Sequence, residues 1–194
     1  QPGDLFSDSP WHRRLLMAWF HSSTARTSGF VLQDLSQMDV SNVLVLSLLM
    51  FVGGSPASMG GGITTSTFAV LVLAVVAQIR GRRQIAVWRR RLPAEAIQRA
   101  AAVLVLSLCF CLTITWLLLV TQRANLDEAL FETISAFSTC GFTLGLTSRL
   151  DGFGQALIAV AMFCGRLGVL TVVVALTRER PSLVQYPEEK ILMG

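Results

Sequence analysis

The chain has 194 residues, a formal net charge of +4, 53% apolar residues and only 14% charged ones. Soluble domains carry about 25% charged residues, so this composition excludes an ordinary soluble domain and predicts a membrane protein. The four cysteines, Cys109, Cys111, Cys140 and Cys164, lack paired metal-ligand spacing and read as small apolar residues.

The sequence opens on Gln1 without an initiator Met or a basic-then-apolar leader, which predicts a partial chain. Trp11 to Thr24 is an amphipathic stretch too short to span a bilayer. Residues 26–30 follow it as an extended loop containing Thr27, Ser28 and Gly29. From Val40 to Ile79 the chain is apolar at both ends, but GGSPASMGGGITTST over residues 53–67 rules out a continuous helix and predicts a broken one.

The connection 80–99 holds seven arginines against the lone acid Glu95. Between two apolar segments this reads as a cytoplasmic loop rather than a nucleic-acid site, with contacts to anionic lipid or a cytosolic partner left open. Ala100 to Val120 is an apolar run long enough to cross a hydrocarbon core of about 30 Å. A second short amphipathic stretch, 126–137, leads into the loop 138–142. Residues 152–177 form another apolar run with Arg166 near its middle, and 178–194 form a tail. A cytoplasmic basic loop makes 40–79 run inward, 100–120 outward and 152–177 inward. Both loops then lie near the outer face and the C-terminus is cytoplasmic.

The two halves repeat. At a constant offset of 112, residues 27–53 and 139–165 share nine identities in 27 positions, beginning with TSGF and TCGF. A duplicated membrane unit is the simplest cause. Each short amphipathic stretch lies between crossing segments, as a re-entrant pore helix followed by a filter loop does; an interfacial helix is the alternative. Thr27, Ser28, Gly29, Thr139, Cys140 and Gly141 are therefore candidate ligands of a dehydrated monovalent cation, chiefly through backbone carbonyls. Gly53, Gly54, Gly60, Gly61 and Gly62 are candidate parts of a flexible constriction under the filter, or else allow close packing of helices. A phosphate-binding loop is disfavoured there, because no Lys precedes the Ser/Thr. Arg166, matched to Gly54 by the offset, either faces the glycine-rich break as a cationic barrier or anchors that loop. His12 and His21 have no ligand cluster, Arg26 reads as a brace for the first loop, and Asp127 and Glu128 suit a helix start.

STARTSGF, MFVGGSPASMGGGITTSTFAVL, LFETISAFSTCGFTLGLT, MFCGRLGVLT and the terminal YPEEKILMG together resemble the C-terminal half of the Trk/Ktr/HKT potassium transporter superfamily, nearest to its bacterial Ktr-type membrane subunit. The resemblance covers nearly all of 11–194. It implies an all-α integral membrane protein made of repeats of transmembrane helix, re-entrant pore helix with filter loop, and transmembrane helix. Residues 1–79 would end the third of four repeats and 100–177 would form the fourth, with Gly29 and Gly141 as filter glycines, 53–67 as the intramembrane gate and Arg166 facing it. The first two repeats and the leading helix of the third are absent from these residues, so closing a four-part pore needs more chain. The resemblance also implies potassium as substrate, no cofactor, no enzymatic activity, a multi-pass cell-membrane location, a homodimer of the full-length subunit and a cytosolic ring of nucleotide-binding regulatory subunits. Thr64 stands where the family commonly has Lys, and Met59 and Cys140 replace residues more often small or β-branched. A carrier with a broken-helix substrate site and a non-transporting fragment are the alternative readings.

Overall fold

The computed structural model describes residues 10–31, 35, 38–55, 60–81, 86–87, 90–168 and 171. The expectations for 1–9, for 56–59 of the glycine-rich stretch and for the tail 178–194 lie outside these residues. The order is α1 (Trp11–Thr24), α2 (Val40–Phe51), α3 (Thr65–Ile79), β1 (Ala86–Val87), β2 (Arg90–Arg91), α4 (Ala94–Gln122), α5 (Leu126–Phe137) and α6 (Gly152–Leu167). The architecture is helical apart from the two-residue antiparallel pair β1–β2, which sets Ala86 opposite Arg91 and Val87 opposite Arg90 inside the basic connection. Sequence patterning gave no sign of this pair, which is too short for an alternating apolar signal.

Local chemistry explains the boundaries. Thr64 stops the extended entry to α3 in a β conformation, and its hydroxyl accepts from the Thr67 N–H at 3.4 Å. Helix α4 starts earlier than the apolar run, because Pro93 stands at its N-cap and Glu95 sits in its first turn. It ends where Arg123 turns left-handed at φ 48°. At 29 residues α4 is about 43 Å long, and among the described residues it alone is both long and apolar enough to cross a membrane. Asp127 and Glu128 occupy the first turn of α5, where carboxylates oppose the helix dipole favourably. Helix α6 runs to Leu167 and Gly168 leaves the helical region at φ +79°; beyond it Thr171 is again helical, and the rest of the expected span to 177 lies outside the described residues. Arg166 lies in the last turn of α6, two residues before Gly168.

Packing joins the two units head to tail. Phe131 and Leu144, with Phe142, bury themselves among Val43, Leu46 and Met50 of α2. A second cluster holds α4, α5 and α6 together through Leu118, Ala129 and Ile158. A third, of Phe51, Ile63, Cys111 and Phe137, lies where the break between α2 and α3 meets the end of α5. Matched positions have opposite burial: Phe142 is 1% exposed and Phe30 70%; Met50 is 0% exposed and Met162 45%; Phe51 is 9% exposed and Phe163 64%. The second unit's loop thus uses the first unit's helix as its socket, while the first unit's loop and the second unit's last helix keep their equivalent surfaces open.

Candidate ion-conducting site

The two loops share one backbone device. Thr27 and Gly29 have φ of 69° and 67°, and their counterparts Thr139 and Gly141 have 53° and 89°. In each loop the residue between, Ser28 or Cys140, is outside the positive-φ region. Crossing φ = 0 at alternate residues turns successive carbonyls away from the strand-like zigzag and lets them converge, as a carbonyl-lined cation path requires. A non-glycine residue is uncommon in the left-handed region, so two threonines there at matched positions are held by their surroundings.

Those surroundings are visible. At the end of α5, Ser138 N–H donates to Ile134 O at 2.8 Å, Thr139 N–H to Ala136 O at 3.0 Å and Cys140 N–H to Ser135 O at 2.9 Å. At the end of α1, Ser28 N–H and Gly29 N–H both donate to Thr24 O, at 3.1 and 3.2 Å. The loops also touch. The Cys140 thiol donates to Ala25 O at 3.3 Å, and a Cβ placed on Gly29 would collide with the Cys140 carbonyl oxygen. Cys140, expected as a backbone ligand, is therefore also the side chain that ties one loop to the other.

The glycine-rich break lies directly against these threonines. A Cβ on Gly60 would come within 2.5 Å of Thr27 Cγ2, and one on Gly61 within 2.6 Å of Phe137 O. Gly61 N–H donates to Thr139 Oγ1 at 2.9 Å. The break is also tied to itself: Gly53 N–H donates to Ile63 O at 2.8 Å, Ile63 N–H to Phe51 O at 3.2 Å and Thr65 N–H to Gly54 O at 3.1 Å, with Gly62 at φ +85°. On α6, Gly165 is pressed onto the Phe137 carbonyl, where a Cβ would overlap it. Arg166 is exposed, and no hydrogen bond joins its side chain to the described residues of the break. His21 is buried in α1, whereas Arg26 is exposed.

One polar group escaped the sequence reading. Glu132 on α5 is 5% exposed; its Oε2 accepts from Thr143 Oγ1 at 2.9 Å and its Oε1 accepts from the Thr147 hydroxyl. Its signal was a lone carboxylate on the otherwise apolar face of LFETISAF, with hydroxyls 11 and 15 residues later. One turn before it, Glu128 pairs with Arg149 at 3.0 Å, although the Arg149 side chain is 61% exposed.

The helical fold, with its two related units packed against each other around touching loops, is that of an all-α membrane transporter. A family model described as TrkH, cation transport protein, matches residues 3–186, and the chain belongs to that family. It is 38% identical to the Ktr system potassium uptake protein B of Vibrio alginolyticus over 99% of this chain and 41% of that protein. It is 35% identical to the Ktr system potassium uptake protein D of Bacillus subtilis over 97% of this chain and 42% of that protein. Among solved structures, the potassium transporter TrkH from Vibrio parahaemolyticus superposes with a TM-score of 0.75 at 19% identity, over 89% of this chain and 39% of that one. The chain thus spans about two fifths of the length of the relatives it matches, and its place is in a membrane.

Proposed function

We propose that the chain is part of the ion-translocating subunit of a potassium uptake system. In this reading Thr27, Ser28, Gly29, Thr139, Cys140 and Gly141 supply two quarters of a carbonyl-lined filter, and potassium is the cargo. The observation that carries it is the matched pair of left-handed positions, Thr27 with Gly29 and Thr139 with Gly141, on loops that touch through Gly29 and Cys140. The relatives' names add the ion.

The head-to-tail packing supports a pore of more than two units. Phe142 is socketed on α2 while Phe30, Met162 and Phe163 stay exposed, so each end of the pair asks for a further unit of the same kind. Heterologous contacts of this sort close into a ring when the rotation permits, and two more units would complete a four-part filter. Residues 53–67 then form the gate, with Gly53, Gly54, Gly60, Gly61 and Gly62 as its movable backbone and Arg166 as a cation near its level. Residues 1–79 and 100–177 are the third and fourth repeats, 80–99 is cytoplasmic, and the tail 178–194 is cytoplasmic too. The word "system" in the relatives' names supports further components, for which we take a second copy of the full-length subunit and a cytosolic nucleotide-binding ring.

The test is potassium uptake by the complete gene product in a bacterium lacking its own potassium uptake systems. Growth at low potassium and saturable uptake are expected. A complete product that reaches the membrane and moves no potassium overturns the reading.

A further inference from the structure

We propose that Glu132 is a positioning residue that sets the ion selectivity of the second filter loop by clamping the chain that leaves it. The inference rests on the filter reading above. It starts from an expensive arrangement: a carboxylate 5% exposed on the apolar helix α5, where a polar group is tolerated only if its hydrogen bonds are made. Both oxygens are engaged, Oε2 by the Thr143 hydroxyl at 2.9 Å and Oε1 by the Thr147 hydroxyl.

The location gives the clamp its role. Thr143 stands two residues after Gly141, whose φ is +89°, and Thr143 Oγ1 also accepts from Gly145 N–H at 2.9 Å. Along the exit, Phe142, Leu144 and Leu146 are buried, while Thr143, Gly145 and Thr147 face outward and cover Glu132. A backbone held at unusual φ persists only when neighbours over-determine it. The inner end of the loop is fixed by the helix-end bonds of α5 and by Gly61; Glu132 fixes the outer end.

The clamp is specific to one unit. At the matched positions of the first unit stand Phe20, Val31 and Leu35 in place of Glu132, Thr143 and Thr147. None of these three side chains can make a hydrogen-bonded clamp, and Leu35 is buried in the shared apolar cluster. The two loops are alike in backbone and unlike in bracing, so loss of Glu132 acts on one quarter of the filter.

The experiment uses the complete gene product with Glu132→Ala, Glu132→Gln and Thr143→Val. Sodium competition against potassium uptake is measured in cells, and amide hydrogen exchange over 142–147 in the purified protein. Glu132→Ala is expected to lower the preference for potassium about fivefold and to speed exchange at Gly145 about tenfold. Glu132→Gln, whose amide offers an oxygen to one hydroxyl and an N–H to the other, is expected to restore both to within about twofold. Should Glu132→Ala not accumulate, Thr143→Val decides: a lowered preference with faster exchange at Gly145 supports the clamp, and an unchanged preference or unchanged exchange overturns it. Normal preference in a well-inserted Glu132→Ala protein also overturns it. If the wild type carries no potassium, the transport reading falls, and unaltered exchange at Gly145 in the variants would still refute the clamp separately.

Discussion

Replacing Gly29 by Ala tests the touching loops more sharply than any other single change. At φ 67° an L residue costs about 1–2 kcal/mol relative to glycine, a factor of about 5–30 in any equilibrium that needs this backbone. That strain is common to Gly29 and Gly141. What differs is space: a Cβ at Gly141 meets nothing within 4 Å, whereas one at Gly29 runs into the Cys140 carbonyl oxygen. To regain ordinary contact that carbonyl must retreat by roughly 1 Å, which removes a proposed ligand from its place. Gly29→Ala is therefore expected to reduce the preference for potassium over sodium by at least about tenfold more than Gly141→Ala. The assay is potassium uptake by the complete protein with sodium as competitor, normalised to protein in the membrane. Equal effects, or a larger one from Gly141→Ala, would refute the inference that these two loops bear on each other.

Three further outcomes follow from the same contacts. Gly165→Ala drives a methyl into the Phe137 carbonyl and is expected to destabilise by about 1–3 kcal/mol or more through overpacking; Gly152→Ala, with open space around it, is expected to be neutral to about 1 kcal/mol stabilising, both read by thermal unfolding in detergent. Thr139→Val removes the acceptor of the Gly61 N–H, leaving a donor whose desolvation costs about 1–3 kcal/mol; a severalfold rise in basal ion flux is expected, and flux at the wild-type level would count against the break acting as a gate. Phe142→Ala is expected to cost about 3–5 kcal/mol as a fully buried aromatic. If a further unit covers Phe30 in the complete protein, Phe30→Ala costs a similar amount there, and a negligible cost would argue against ring closure.

Much of the fold could be read from residues alone, for identifiable reasons. Amphipathic periodicity and Gly/Pro interruptions are strong local signals, which is why the helices at 11–24 and 126–137 and the end of α2 at Phe51 could be read. The offset of 112 sets Gly29 opposite Gly141, and both have positive φ. Burial was not legible, because Phe30 and Phe142 stand in matched Thr-x-Gly-Phe stretches and differ in exposure according to whether a neighbouring unit's helix lies beside them. The positive φ of Gly168, two residues after Arg166, was not legible either, because a glycine inside an apolar run carries no sign of the conformation it takes. The Glu132 cluster was hidden because its partners come from the loop after Gly141, at a spacing that no secondary-structure period produces.

The hydrogen bond from Gly61 to Thr139 makes one threonine common to the proposed gate and the proposed filter. Any movement that withdraws Gly61 must break that bond, so Thr139 feels the state of the break. Thermodynamic reciprocity then works in the other direction as well: if an ion bound at the Thr139 carbonyl prefers the bonded arrangement, occupancy restrains opening, and if it prefers the released one, occupancy promotes it. On the proposed reading, the concentration of the transported ion then acts as an effector of its own passage, through one hydroxyl.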